Sequence, residues 1–430
     1  MIRTALLAAA AALAFLAPAA AQDIAITNAT VATGDGSAPV EGATVVVRGG
    51  KVVAAGHGIT VPAGVRTIDG SGKWVTPGVF MPMTDLGLAD VEGVANSNDT
   101  RAARSRFSAA LDASTAVNYA SQHIAVSRAG GVTRASIVTS PGGAIFAGQG
   151  AVIDTGADKD AVVSARAFQL VVLGETGGRI AGGSRVAAYA ELANALREAN
   201  EFAAGRWRGE GNLLTRADAE ALAQVATGAQ PLYVHVERAA DIRAVLGLRS
   251  QYPKLKLVLV GVSEGWIVAG DIAAAGVPVI ADPLENLPAS FEQLGATHSN
   301  VGRMVRAGVK VALGGLSGGI TGPRIAPQFA GNLVALSRVP GATGLTWGEA
   351  FASISSVPAE ISGFGGRFGV LQPGAAGDVV VWDGDPLEVS TAPVQVFIDG
   401  VEQPLDSHQT RLRDRYRNLD ESALSKAYDW

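Results

Sequence analysis

The sequence predicts an α/β fold in which a (β/α)8 TIM-like barrel is inserted in a small β-sandwich domain formed by both ends of the chain. Three observations carry this expectation. The middle of the chain alternates continuous apolar runs with amphipathic stretches, the pattern of parallel βαβ units buried on both faces. Short alternating strands occur near the start and return near the end. The 430 residues, 48% hydrophobic and 17% charged, exceed one ordinary domain and supply the core that a large barrel needs.

Residues 1–21 read as a secretory signal. Met1-Ile2-Arg3 is a short positive region, Ala5 to Leu16 is apolar, and Pro18 breaks the run before Ala19-Ala20-Ala21, with cleavage expected after Ala21. About a dozen apolar residues are too few for a hydrocarbon core that takes roughly 20. The expectation is a periplasmic or secreted protein with no membrane anchor after cleavage. The chain has no cysteine, which removes disulfides and thiolate metal sites from consideration. A net charge of −5, without a block of like charges, gives no basis for nucleic-acid binding.

Residues 22–75 hold the first part of the β domain, with strands expected over Ile24 to Val31, Ala43 to Arg48, Lys51 to Ala55 and Val65 to Ile68. Gly49-Gly50 is a two-residue hairpin signature. Residues 76–366 hold the barrel, its strands including Val75 to Met81, Gly131 to Val138, Phe168 to Leu173, Leu232 to Val236, Leu255 to Val260, Val277 to Ile280 and Val309 to Leu313. Helices fall between them, among others Arg185 to Ala204, Arg216 to Ala226 and Ala239 to Leu248. No Gly-rich phosphate fingerprint follows the first strand, which weakens a dinucleotide-binding reading. The stretch TSPGGAIFAGQGAVID, Thr139 to Asp154, reads as a long Gly-rich loop at the barrel mouth. Residues 367–403 return to the β domain, with strands over Asp378 to Asp383 and Val394 to Ile398. Residues 404–430 form a charged tail, expected to lay Leu412, Tyr416 and Leu419 of a solvated helix on the body.

Two blocks carry a resemblance. One is GKWVTPG at residues 72–78; the other is the closing run LTWGEAFASISSVPAEISGFGGRFGVLQPGAAGDVVVWDGDPLE, Leu345 to Glu388. Together they resemble the amidohydrolase superfamily, in particular its exported imidazolonepropionase-like members, over the chain up to about Val401. The resemblance implies one or two divalent metals at the C-terminal mouth of the barrel. The implied ligands are a His-x-His on strand one, single histidines on strands five and six and an aspartate on strand eight. Bound water then becomes hydroxide near neutral pH, and the strand-eight carboxylate takes a proton from it.

Carried over position by position, that pattern meets a degenerate metal site. Met83 and Asp85 stand at the His-x-His, Met81 at the aspartate before it, and Leu316 at the strand-eight aspartate. Strand six offers Val262, Ser263 and Glu264 but no histidine, while His235 stands where strand five has its own. Asp85, two residues from Met83, is expected on the same inward face. The implied set is therefore His235, Asp85 and Glu264, holding one divalent ion, zinc or manganese, or none; His235 is also the catalytic candidate. Asp282 and Glu285, in DPLENLP after strand seven, bring two carboxylates toward the mouth, either for acid/base work or as solvated loop acids. Ser317 in GGLSGG lacks a nucleophile elbow. His57, His123, His298 and His408 read as surface or capping residues.

Three functions stay open. One is an exported amidohydrolase-like hydrolase acting on C–N bonds of a small amide, cyclic amide or dipeptide. Another is a catalytically inactive barrel that binds a small molecule, self-associates or pairs with a related amidohydrolase. The third is a metal-free hydrolase using His235 with nearby acids.

Overall fold

The structure, a computed structural model, describes residues 21–417 apart from 92, 210 and 315–321. The signal sequence before residue 21, Leu316, Ser317 and Leu419 lie outside the described residues.

Five strands open the chain: β1 Ile24–Val31, β2 Val40–Arg48, β3 Lys51–Gly56, β4 Arg66–Asp69 and β5 Trp74–Pro77. Gly49 and Gly50 join β2 to β3 with φ of 54° and 74°, the left-handed pair that a type I′ hairpin requires. Eight barrel strands follow: β6 Val79–Thr84, β7 Val132–Ile137, β8 Phe146–Asp154, β9 Val162–Val172, β10 Leu232–Val236, β11 Leu257–Gly261, β12 Val279–Ala281 and β13 Val311–Leu313. The chain then returns as β14 Val379–Trp382, β15 Pro393–Ile398 and β16 Val401–Glu402. The seam between the two ends is β5 against β14, antiparallel, with Val75 opposite Val381. One sheet therefore runs β16-β15-β14-β5-β1-β2-β3, with β4 on β1, and the other runs β6 through β13 in order. The expected barrel and two-ended β domain are both present.

The barrel departs from a regular (β/α)8 at β8, which is antiparallel to both β7 and β9. Half of the stretch expected as a mouth loop is this strand. Its glycines are what hid it, and they serve the packing. A Cβ on Gly150 would lie 2.1 Å from the Phe168 ring, and one on Gly148 would lie 2.7 Å from the Leu111 carbonyl. Small residues here let an aromatic ring press against the backbone.

Alternate strand residues face inward and outward. Phe168, Leu170 and Val172 of β9, Tyr233 of β10, and Val258 and Val260 of β11 fill the barrel interior with Met83, Ile280 and Ala312. The Phe168 and Tyr233 rings stack at 4.1 Å. Each such ring or branched side chain taken from water stabilises by about 1.5–3 kcal/mol. The outward set, including Val171, Leu232, Val234, Leu257 and Leu259, meets the surrounding helices. Helix starts follow the local chemistry: Ser184 and Thr215 cap Arg185–Ala203 and Arg216–Ala226, and Thr346 with Glu349 forms a capping box at Trp347–Ala352. The tail helix His408–Arg417 has no buried residue, and Tyr416 is 58% exposed, so that ring does not lie on the body as expected.

Candidate active site at the barrel mouth

A cavity of about 470 Å³ opens at the C-terminal ends of β9 to β12, lined among others by Arg101, Arg179, His235, Glu237, Glu285 and Gln293. This is the size and place of a small-molecule site in a barrel. A larger cavity, about 820 Å³, lies at the opposite end beside residues that precede strands, such as Pro231, Pro278 and Lys310. Its one acid, Glu360, is bonded to Lys310.

At the mouth, His235 Nε2 lies 3.0 Å from Glu237 Oε1. The two are i and i+2 on one edge of the barrel, so both project to the same side. Glu237 Oε2 accepts from the Ser263 backbone N–H at 2.8 Å and from its hydroxyl at 2.7 Å. The Ser263 hydroxyl also contacts Glu285 Oε2. Gln293 Nε2 donates to Ser263 Oγ at 3.2 Å and to Glu285 Oε1 at 2.8 Å. The His235 Nδ1 atom is buried and has no hydrogen-bond partner among the described residues.

Local backbone makes this arrangement. Gly261 and Val262 both have left-handed φ, 86° and 54°, the latter uncommon and strained for a β-branched residue. Val262 is held there by its N–H on the Val236 carbonyl and by the Asn300 amide on its own carbonyl. The turn aims Ser263 at Glu237. A Cβ on Gly261 would lie 2.4 Å from Glu237 Oε1, so only glycine admits that carboxylate.

Burial opposes charge on His235, but its bond to Glu237 and the charges of Glu237, Glu292 and Glu285 outweigh it and hold its pKa above the usual histidine value. Burial also raises Glu237, yet the His235 and Ser263 bonds prevail and hold it below the usual carboxylate value. Burial first, then the nearby Glu237 and Asp282, push Glu285 up against the lowering effect of its Ser263 and Gln293 bonds. The site thus pairs a carboxylate that keeps its charge with a neighbour that resists ionising, the pattern of an acid and a base.

The structure places His235 in this cavity but does not bring Asp85 and Glu264 to it as a ligand set. Glu264 is buried and committed to backbone: Oε2 accepts from Ala239 N–H at 2.9 Å and Oε1 from Gly295 N–H at 3.0 Å. The reason is the left-handed Val262, which sends Val262 to the outer core and shifts the alternation by one. Asp85 follows β6, half-buried, in a turn closed by the Leu88 N–H on its carbonyl. Met83, with φ 58°, is turned into the barrel interior. Among the described residues, no three His, Cys, Asp or Glu side chains are grouped to hold a metal ion, where a catalytic zinc takes three protein ligands. The described donors thus do not fit the metal site that the fold implies. Glu237 is the residue that strand reasoning passed over, although the His-x-Glu spacing of LYVHVE was signal enough.

Comparison with known proteins fits this architecture. Residues 272–402 match the amidohydrolase family. The matched segment holds Asp282, Glu285 and Gln293, and runs on through β14 and β15. A 60-residue stretch is 50% identical to amidohydrolase tasK of Hapsidospora irregularis; it is 14% of this chain and spans only 6% of that protein's length. Among solved structures, an amidohydrolase from Thermotoga maritima superposes with a TM-score of 0.76 at 25% identity, over 88% of this chain and 99% of that one. An adenosine deaminase from Xanthomonas campestris with bound zinc shares the fold, with a TM-score of 0.51 at 17% identity over 94% and 99% of the two chains. The family match and the names of these relatives support a hydrolase.

Proposed function

We propose that the protein is a hydrolase that cleaves a C–N bond in a small amide, cyclic amide or dipeptide within the mouth cavity. The observation that carries the reading is the His235–Glu237 pair, 3.0 Å apart and open to a cavity of about 470 Å³. The Glu237 carboxylate, kept ionised by its donors, accepts a proton from a water positioned in the cavity. His235 fixes that carboxylate and, as an imidazolium, offers positive charge beside the oxyanion that forms. Two arginines, Arg101 and Arg179, line the same cavity and suit a substrate carrying a carboxylate. In this proposal the chain is an imidazolonepropionase-like member whose metal-ligand pattern is degenerate, exported by residues 1–21 to act in the periplasm or outside the cell.

The test is turnover of dipeptides, N-acyl amino acids and cyclic amides by the purified protein, with metal content measured in parallel. Turnover that falls at least about 100-fold in His235→Ala supports the reading. No turnover of any class, in chelated buffer or with zinc or manganese added, overturns it in favour of a binding barrel.

A further inference from the structure

Ser263 Oγ has one hydrogen too few for its surroundings. It touches Gln293 Nε2, Glu237 Oε2 and Glu285 Oε2, and a hydroxyl has one hydrogen and two lone pairs. Gln293 is a donor and takes one lone pair. The hydroxyl hydrogen serves one carboxyl, and the remaining bond exists only if the other carboxyl brings its own proton. Glu237 already receives the His235 Nε2–H on one oxygen and the Ser263 backbone N–H on the other, the environment of an ionised carboxylate. Apart from the Ser263 hydroxyl, Glu285 receives one donor among the described residues, the Gln293 amide on Oε1 at 2.8 Å. Two assignments satisfy the three contacts, and the donors already on Glu237 select one: Glu285 donates to Ser263, and Ser263 donates to Glu237.

We propose, building on the hydrolase reading above, that Glu285 is the catalytic acid: it rests protonated and gives its proton to the leaving nitrogen, and Ser263 relays a proton back to it from Glu237. Glu285 and Glu237 both line the cavity, so both reach substrate. Water attacks the acyl carbon while Glu237 takes one of its protons, and the C–O bond forms. The C–N bond breaks, its electron pair stays on nitrogen, and nitrogen receives the Glu285 proton. Ser263 then passes its hydrogen to Glu285 and takes the one on Glu237, which restores the resting state. One water is consumed, and no further reactant is needed. The groups facing Glu285 agree with a proton on it: Glu237 and Asp282 are acids, and His235 is bonded to Glu237 instead. Ser263 is a positioning residue, since it acts through the two carboxyls.

Infrared difference spectra at neutral pH read the proton directly. Glu285→Gln is expected to remove one protonated-carboxyl stretch relative to the wild type, whereas Glu237→Gln leaves it. A band that survives Glu285→Gln and disappears in Glu237→Gln overturns the assignment. Ser263→Ala, a second variant that keeps both carboxyls, is expected to shift the band without removing it. Kinetics read the role. Glu285→Gln is expected to lose about 10²–10⁴-fold in kcat on amides but far less on nitrophenyl esters of the same acyl group, whose leaving group needs no proton. Equal losses on amide and ester overturn the donor role. Failure of the wild type on every substrate is seen before any variant is made; it marks failure of the hydrolase reading and overturns the donor role with it.

Discussion

Arg134 at the junction with the β domain and His235 at the barrel mouth are both basic groups set among carboxylates, but they differ in how completely they are bonded. Arg134 donates to Asp378 at 2.7 and 2.8 Å and to Asp399 at 2.7 Å, lies 3.6 Å from Asp154, and covers the Phe368 ring at 4.3 Å. Its guanidinium holds its charge at any working pH, and its rigid fork matches the carboxylates. It ties β7 to residues flanking β14 and β15 through hydrogen bonds from Nε and Nη2. Among the described residues, the His235 ring has one partner and an unmatched Nδ1, and it adjoins a cavity. Its partner Glu237 shares a hydroxyl with a second acid. Several short carboxylate bonds hold two sheets together; in the proposed reaction, the less completely bonded network beside the cavity exchanges protons with a substrate.

The largest test of this contrast is Arg134→Ala. Removing one partner from a buried ionic group leaves Asp378 uncompensated, so unfolding free energy should fall by about 3–5 kcal/mol, read by urea denaturation. The infrared signature at the mouth should be unchanged in the folded fraction. Gly261→Ala is the matching test at the mouth. Its Cβ would enter the Glu237 carboxylate at 2.4 Å with a backbone φ of 86°, so stability should fall by about 1–3 kcal/mol and turnover should fall with it.

Smaller effects separate the two regions by pH. Burial, resisted by Arg134, pushes the Asp154 carboxyl up to about 6 from 3.8. The folded state then holds this proton longer than the unfolded chain, so the group withdraws stability as pH rises from 3.8 to about 6. Asp154→Asn should remove that slope and add about 3 kcal/mol above pH 6. At the mouth, His235 shares that sense and Glu237 has the opposite one. Raised His235 contributes stability fully present below 6.5 and lost as pH climbs past its folded value; lowered Glu237 contributes above 4.5 and loses it as pH falls. Thermal unfolding of Glu237→Gln across pH 4–9 should therefore differ from wild type most in the middle of that range. The smallest effect belongs to the exposed pair Arg66–Glu402 at 3.0 Å, where Arg66→Ala should cost less than about 1 kcal/mol.

Much of the fold is legible in particular residues. The alternation in β9 and β10 states which side chains face the barrel interior, and Gly49-Gly50 states a hairpin. The strand β8 escaped because Gly148 and Gly150 break the apolar run, and their purpose appears only once Leu111 and Phe168 lie against them. The site was less legible. His235 and the acids of DPLENLP were marked by type and position, and Glu237 was available from its spacing to His235. Ser263 and Glu264 were adjacent candidates, and simple alternation from Val258 and Val260 carries Glu264 inward.

The sequence by itself determined that the two ends of the chain form one sheet around an α/β barrel and that His235 sits at the top of a barrel strand. The strands follow from the two-residue repeat, and the pairing of the ends from the return of a β-rich stretch near the end of the chain. Only the tertiary structure decided which carboxylates join His235. The left-handed turn at Val262, held by Asn300 and the Val236 carbonyl, shifts the alternation by one residue. It sends Glu264 to the backbone of Ala239 and Gly295 and brings Ser263 between Glu237 and Glu285. A single backbone dihedral, stabilised by contacts from distant segments, overrides a local repeat.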